Sequence, residues 1–303
     1  MKFTHGWTVF ALAWTALAIG PETAASAAHA TNPSAVEIVR QAVNNECSAN
    51  GGRAKFMFAD HKQTARGSQT RLIAEANEAT AGMLVAVDDK PLTPEQRQAE
   101  MGRLQMLADN PQELGKKQRA ERDDAERTTR IVRALPDAFL FESDGTEIGT
   151  DNLGKPGDEL VRLKFRPNPS YTPPSHTEQV LTGMQGYILI DENEHRIAKI
   201  DGTLFKEVGF GWGILGHLNR GGHFLVQQAD VGSDHWEVTR MSLALTGKEL
   251  FFKSINIKQD EVCSDFRPLP SNLNFAQAVD LLKRRNAELA QNHEPNGSNQ
   301  EHK

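Results

Sequence analysis

His217, His223 and His235 share one stretch of chain with Asp230 and Asp234. Imidazoles and carboxylates are common ligands of zinc and common partners in proton transfer. The spacing matches no ligand signature such as H-E-x-x-H, so polar rim histidines near turns are the expected reading. Beside them, Gly211, Gly213 and Gly216 in Gly-Trp-Gly-Ile-Leu-Gly fit the G-x-G-x-x-G dinucleotide pattern. A phosphate-binding turn must be followed by a helix of several turns whose N-terminus faces the pyrophosphate. Here Gly221-Gly222 interrupts the chain within a few residues, and no βαβ rhythm surrounds the pattern. Serine, histidine and aspartate are all present, but no G-x-S-x-G elbow exposes a nucleophile. The pair Asp123-Asp124 falls on a highly charged segment, where solvation accounts for it. No catalytic constellation emerges, and the expectation is a non-enzymatic protein with no cofactor and no metal site.

Cys47 and Cys263 are the only cysteines. Neither has a second cysteine nearby to form a C-x-x-C pair, which argues against redox or metal use. In an oxidising compartment they could form one disulfide joining the end of the first helix to the last strand. Closing so long a loop would contribute about 4 to 5 kcal/mol in the chain-entropy model. The alternative is two buried thiols that never meet.

The elements that must position these residues read as follows. Asn32-Pro33-Ser34 is a helix entry signal, and Val36, Val39, Ala42 and Val43 recur at helical spacing up to about Cys47. Beyond Gly51-Gly52, runs over 55–58, 70–76 and 83–87 predict an antiparallel meander. At Thr93-Pro94-Glu95-Gln96 a cap, a first-turn proline and a capping-box glutamine open a helix to about Asp109. Asn110-Pro111 repeats the signal and opens a second helix, which Pro136 is expected to stop near Leu135. Nine basic and eight acidic residues between Glu95 and Arg133 make this insertion, 92–135, mostly solvated. It reads as an exposed helical excursion or as a docking arm.

From Ala138 onwards strands are predicted over 139–142, 160–165, 186–191, 196–205, 224–228, 236–245 and 250–257. Alternation such as Met241, Leu243, Leu245 against Ser242, Ala244, Thr246 implies one packed and one wet face. Asp191 to His195 predicts a hairpin, the prolines of 166–175 predict an extended loop, and 273–290 predicts a terminal helix before a polar, disordered tail over 291–303.

The first thirty residues carry Lys2, an apolar run from Trp7 to Ile19, and small residues ending Ala28-His29-Ala30. This pattern reads as a cleaved secretory signal peptide. The run is shorter than the roughly 20 residues of a membrane span. With no cysteine at the cleavage sites for lipid attachment, the expected product is periplasmic or secreted, with no transmembrane anchor. The formal net charge of -6 argues against nucleic acid as a partner. Residues 31–290 are read as one domain.

A helix, a meander, a helical excursion and a long run of antiparallel strands behind a signal peptide resemble the LolA/LolB-like superfamily of periplasmic lipoprotein and lipid carriers. The pair Gly186-Tyr187-Ile188-Leu189-Ile190-Asp191 and Arg196-Ile197-Ala198-Lys199-Ile200 looks like that superfamily's strand, acidic turn and return strand. More closely, the chain looks like exported bacterial outer-membrane-lipoprotein-sorting-like proteins. These carry a charged helical insertion, a Pro-rich loop like Asn168-Pro169-Ser170-Tyr171-Thr172-Pro173 and an apolar turn like Phe210-Gly211-Trp212-Gly213. The resemblance implies a mainly β, α+β fold, a curved antiparallel half-barrel plugged by helices, whose apolar concave side binds a lipid or lipoprotein acyl chain. Phe210, Trp212, Ile214, Leu215 and Leu218 are the candidate lining or mouth residues, with Phe224 and Trp236 beside them. The competing reading is an adaptor whose charged insertion docks onto another envelope protein.

Overall fold

A computed structural model of the chain describes residues 33–48, 54–210, 216–232, 234–249 and 253–293. The leader and nearly all of the polar tail lie outside the described residues. Strand accounts for 46% of the chain, so the fold is mainly β, built as one large, curved, unclosed antiparallel sheet with five helices. In chain order the elements are α1 (Ala35–Ser48), β1 (Lys55–Thr64), β2 (Gly67–Ala74), β3 (Ala81–Val87), β4 (Lys90–Pro91), α2 (Pro94–Ala108) and α3 (Pro111–Ala138). Then follow β5 (Phe139–Ile148), β6 (Glu159–Pro167), α4 (His176–Gln179), β7 (Met184–Asp191), β8 (Arg196–Leu204), β9 (Val208–Phe210) and β10 (Gly216–Leu218). The last elements are β11 (His223–Asp230), β12 (Trp236–Glu249), β13 (Lys253–Leu269) and α5 (Phe275–His293). Along the sheet the order is β4-β3-β2-β1-β13-β12-β11-β8-β7-β6-β5, with β10 joining β12 to β9.

Two apolar clusters hold the ends of this sheet. Toward β5–β8, Val39, Ala42 and Val43 of α1 and Leu135 and Ala138 of α3 pack against Phe139, Leu163, Phe165, Ile188 and Ile190. Toward β1–β3, Leu104 of α2 and Phe275, Ala278, Val279 and Leu282 of α5 pack against Leu72, Ala74, Ala81 and Met83. Ile188 and Ile190 enter the first cluster while Leu189 and Tyr187 pack with Leu160 and Trp236 on the other face, as the two-residue strand period requires. Directly opposed residues share a face, and the register Ile188, Ile200, Val226, Met241, Glu261, Lys62 carries the first cluster's face across the sheet. Ala59 and Leu72, at odd steps from Lys62, lie on the opposite face. The helices therefore cover one face at one end and the other face at the other end, whereas helices plugging a single concave side were expected.

The insertion is part of this framework. Thr93 and Gln96 form the expected capping box, and the Asn110 side chain accepts the amides of Gln112 and Glu113. Glu100 accepts the Leu84 amide at 2.8 Å and Arg103 donates to the Gly82 carbonyl at 2.8 Å, so α2 occupies the open edge of β3 and blunts it. Pro136 does not stop α3, which runs on to Ala138. In the last turn a missing N–H costs one bond at most, and Leu135, Pro136 and Ala138 are buried there. The last strand also departs from expectation. It extends to Leu269, past the charged run after Ile257 that masked its period.

The Asp191–His195 hairpin forms as expected. Asp191 is fully buried, and its Oδ1 accepts the amides of Asn193 and Glu194, each at 3.0 Å. Burial, with Asp158 and Glu194 adding to it, raises this carboxyl above its ordinary value of 3.8 against the pull of those amides. The folded state then holds a proton that the unfolded chain releases. The associated stability is fully present below the ordinary value and is lost as pH rises through the raised one. Asp191→Asn, which keeps a carbonyl acceptor, is expected to flatten that part of the stability curve. Asp191→Ala, which leaves both amides without an acceptor, should cost about 1 to 3 kcal/mol at every pH. Denaturant titrations of the three proteins from pH 4 to 8 check this; parallel curves for wild type and Asp191→Asn would refute it.

Candidate functional site

The central strands present an apolar face outside the buried clusters. One cross-strand row runs Leu163, Ile188, Ile200, Val226, Met241, and a second runs Phe165, Gly186, Gly202, Phe224, Leu243. Leu245 faces Ile257 and Gly247 faces Ile255 beside them. The first residues of each row are in the helix-covered cluster, and Ile200, Phe224 and Leu245 pack against it. Val226, Met241, Leu243, Ile255 and Ile257 are only half-buried and belong to none of the buried clusters. Five contiguous aliphatic side chains left half in water form a surface suited to an apolar partner.

The candidate lining residues divide. Phe210, Leu218 and Phe224 are brought together, half-buried against the cluster that α1 and α3 cover. Trp212, Ile214 and Leu215 lie outside the described residues. Trp236 is not with them: it is buried with Leu160, Leu189 and Ala198, under the Arg196 guanidinium 5.6 Å from its ring. Five residues separate Trp236 from Met241 along β12, and the two lie on opposite faces of the sheet.

Past Met241 the row turns polar. Glu261 lies opposite Met241 on one side and Lys62 on the other, and Asp60 lies opposite Cys263. Asp60, Glu261 and Cys263 are all buried, and one donor atom of each lies within 4.8 Å of the others. Lys62 Nζ reaches Glu261 at 2.8 Å. Burial, and next the Glu261 carboxylate, push Asp60 up to about 7. Burial and the neighbouring carboxylates of Asp60, Glu261 and Glu237 likewise hold the Cys263 thiol well above its ordinary range. Nothing local in the sequence marks this cluster except the E-x-C step of Glu261 and Cys263, because Asp60 arrives from a strand two hundred residues earlier.

Other sequence candidates stay apart. His223 pairs with Asp201 at 2.9 Å, His217 lies 4.0 Å from Glu207, and His235 meets the edge of Phe56 at 5.8 Å between centroids. Asp234 pairs with Lys155 and Asp230 accepts the Gly232 amide. The histidine and aspartate set is thus dispersed among local partners. Cys47 and Cys263 lie apart, the first against the α1/α3 cluster and the second with Phe56 and Phe58, and no disulfide joins them. Burial raises Cys47 despite its hydrogen bond with Arg133. No helix among the described residues is long and apolar enough to cross a membrane. Compared with known proteins, the chain matches no family model and no curated protein.

Proposed function

We propose that this chain is an exported, periplasmic or envelope protein that binds a lipid or lipoprotein acyl chain on the curved face of β8, β11, β12 and β13, acting as a half-barrel carrier rather than an enzyme. The half-buried aliphatic patch of Val226, Met241, Leu243, Ile255 and Ile257 carries this reading. A flexible acyl chain laid across it would continue the row that begins in the packed cluster, gaining about 0.8 kcal/mol for each methylene removed from water. Leu104, Ala125, Leu135 and Ala138 are buried in the insertion helices, which supports a structural role for them in place of a docking arm.

The test is titration of a fluorescent fatty acid into untagged protein, with native mass spectrometry of the same sample. Wild type should bind near one to one. Val226→Asp places a charge on the patch and should weaken binding at least about 10-fold while leaving the β circular-dichroism signal intact. Undiminished binding by Val226→Asp would remove this face from the site.

A further inference from the structure

We infer that Asp60, Glu261 and Cys263 form a zinc site on the central strands, distinct from the acyl-chain surface and independent of it. The three donors stand on adjacent strands, where the strand period puts Glu261 and Cys263 on one face and direct pairing puts Asp60 opposite Cys263. They are 9%, 4% and 4% exposed, and their nearest donor atoms lie within 4.8 Å of one another. Tetrahedral zinc with sulfur and oxygen ligands holds its donors about 3.5 Å apart. Small rotamer adjustments close that gap.

Three further observations point to a cation. Asp60 Oδ1 is buried with no hydrogen-bond partner, which is costly for a carboxylate oxygen unless something positive approaches it. Glu237, 3% exposed, adds a third buried carboxylate whose charge acts on Cys263, and Lys62 is the cation paired with Glu261. Cys263 also forms part of the wall of an open cleft of about 310 Å3 together with Asp151, Asp230 and Asp265, so an ion has an acidic approach to the sulfur. One thiolate with two carboxylates suits zinc rather than calcium or magnesium, which take oxygen ligands alone. On binding, the Cys263 thiol gives its proton to solvent and ligates as thiolate, while Lys62 orients Glu261 from outside.

The experiment uses the untagged, chelator-treated full chain titrated with zinc chloride, followed by metal analysis, and with cobalt(II) in parallel. One zinc per chain is expected, with a thiolate-to-cobalt charge-transfer band in the near ultraviolet. Cys263→Ser should abolish the band, and both it and Asp60→Asn should weaken zinc binding by about 100-fold or more. A readout that needs no variant is alkylation mapped by mass spectrometry, in which zinc should protect Cys263 and leave Cys47 as reactive as before. Absence of stoichiometric zinc, unchanged binding by Cys263→Ser, or unprotected Cys263 would each overturn the site. Retained zinc binding in Val226→Asp is expected whether or not that variant binds lipid.

Discussion

Glu46→Ala is expected to lower the unfolding free energy by about 3 to 5 kcal/mol. Glu46 sits at the last turn of α1, 6% exposed, with its Oε1 2.9 Å from Arg196 Nε and accepting the Ile197 amide at 3.2 Å. The Arg196 side chain is only 15% exposed and its guanidinium lies over Trp236. Removing the carboxylate strands a buried guanidinium and a buried amide at the point where α1 is fastened to β8. Replacing both charges by apolar residues, as in Glu46→Leu with Arg196→Met, removes the stranded charge and should recover much of the loss. Urea titrations of the two singles and the double give the coupling. A loss below about 1 kcal/mol for Glu46→Ala would mean that the pair behaves as an exposed one.

Much of the framework around that pair was legible in the sequence, and the reason is locality. The Val39, Ala42, Val43 stripe, the Thr93 and Gln96 capping box and the Asp191 hairpin are set by residues a few positions apart, and each forms as read. Glu46 was not legible as a buried anchor, because its partner comes 150 residues later. The acidic cluster hid for the same reason and for a second one. The run Lys258 to Asp265 carries so many polar groups that it lost the look of a strand, yet it is the middle of β13, the longest strand in the sheet. Where a central strand breaks the apolar rule, a functional or compensated site is the physical expectation. Trp236 marks a further limit: alternation along β12 sets it on the face opposite Met241, but the residues that bury it there, Leu160, Leu189 and Ala198, come from β6, β7 and β8.

Phe275→Ala should cost about 3 to 5 kcal/mol. Phe275 is 1% exposed at the start of α5, among Met83, Leu104, Val279 and Leu282, and its amide donates to Glu78 at 2.9 Å. The reciprocal bonds of Asn274 and Gln277 fix the helix start around it, so the surrounding backbone has little freedom to collapse into the space left behind. What that loss does to the rest of the molecule is the sharper question, because the Phe275 cluster lies at one end of the sheet and the Leu163 cluster at the other. Unbroken pairing through β1, β13, β12, β11 and β8 connects them, and α3 touches both α2 and α1. Continuous hydrogen-bonded strands transmit unfolding cooperatively, so Phe275→Ala should still unfold in one transition. Combined with Leu163→Ala, its cost should add to within about 0.5 kcal/mol. Two separate transitions by circular dichroism and tryptophan fluorescence would instead mean that β1–β3 with α2 and α5 melts as its own unit, leaving the acyl-chain surface of β11 and β12 standing on the other cluster alone.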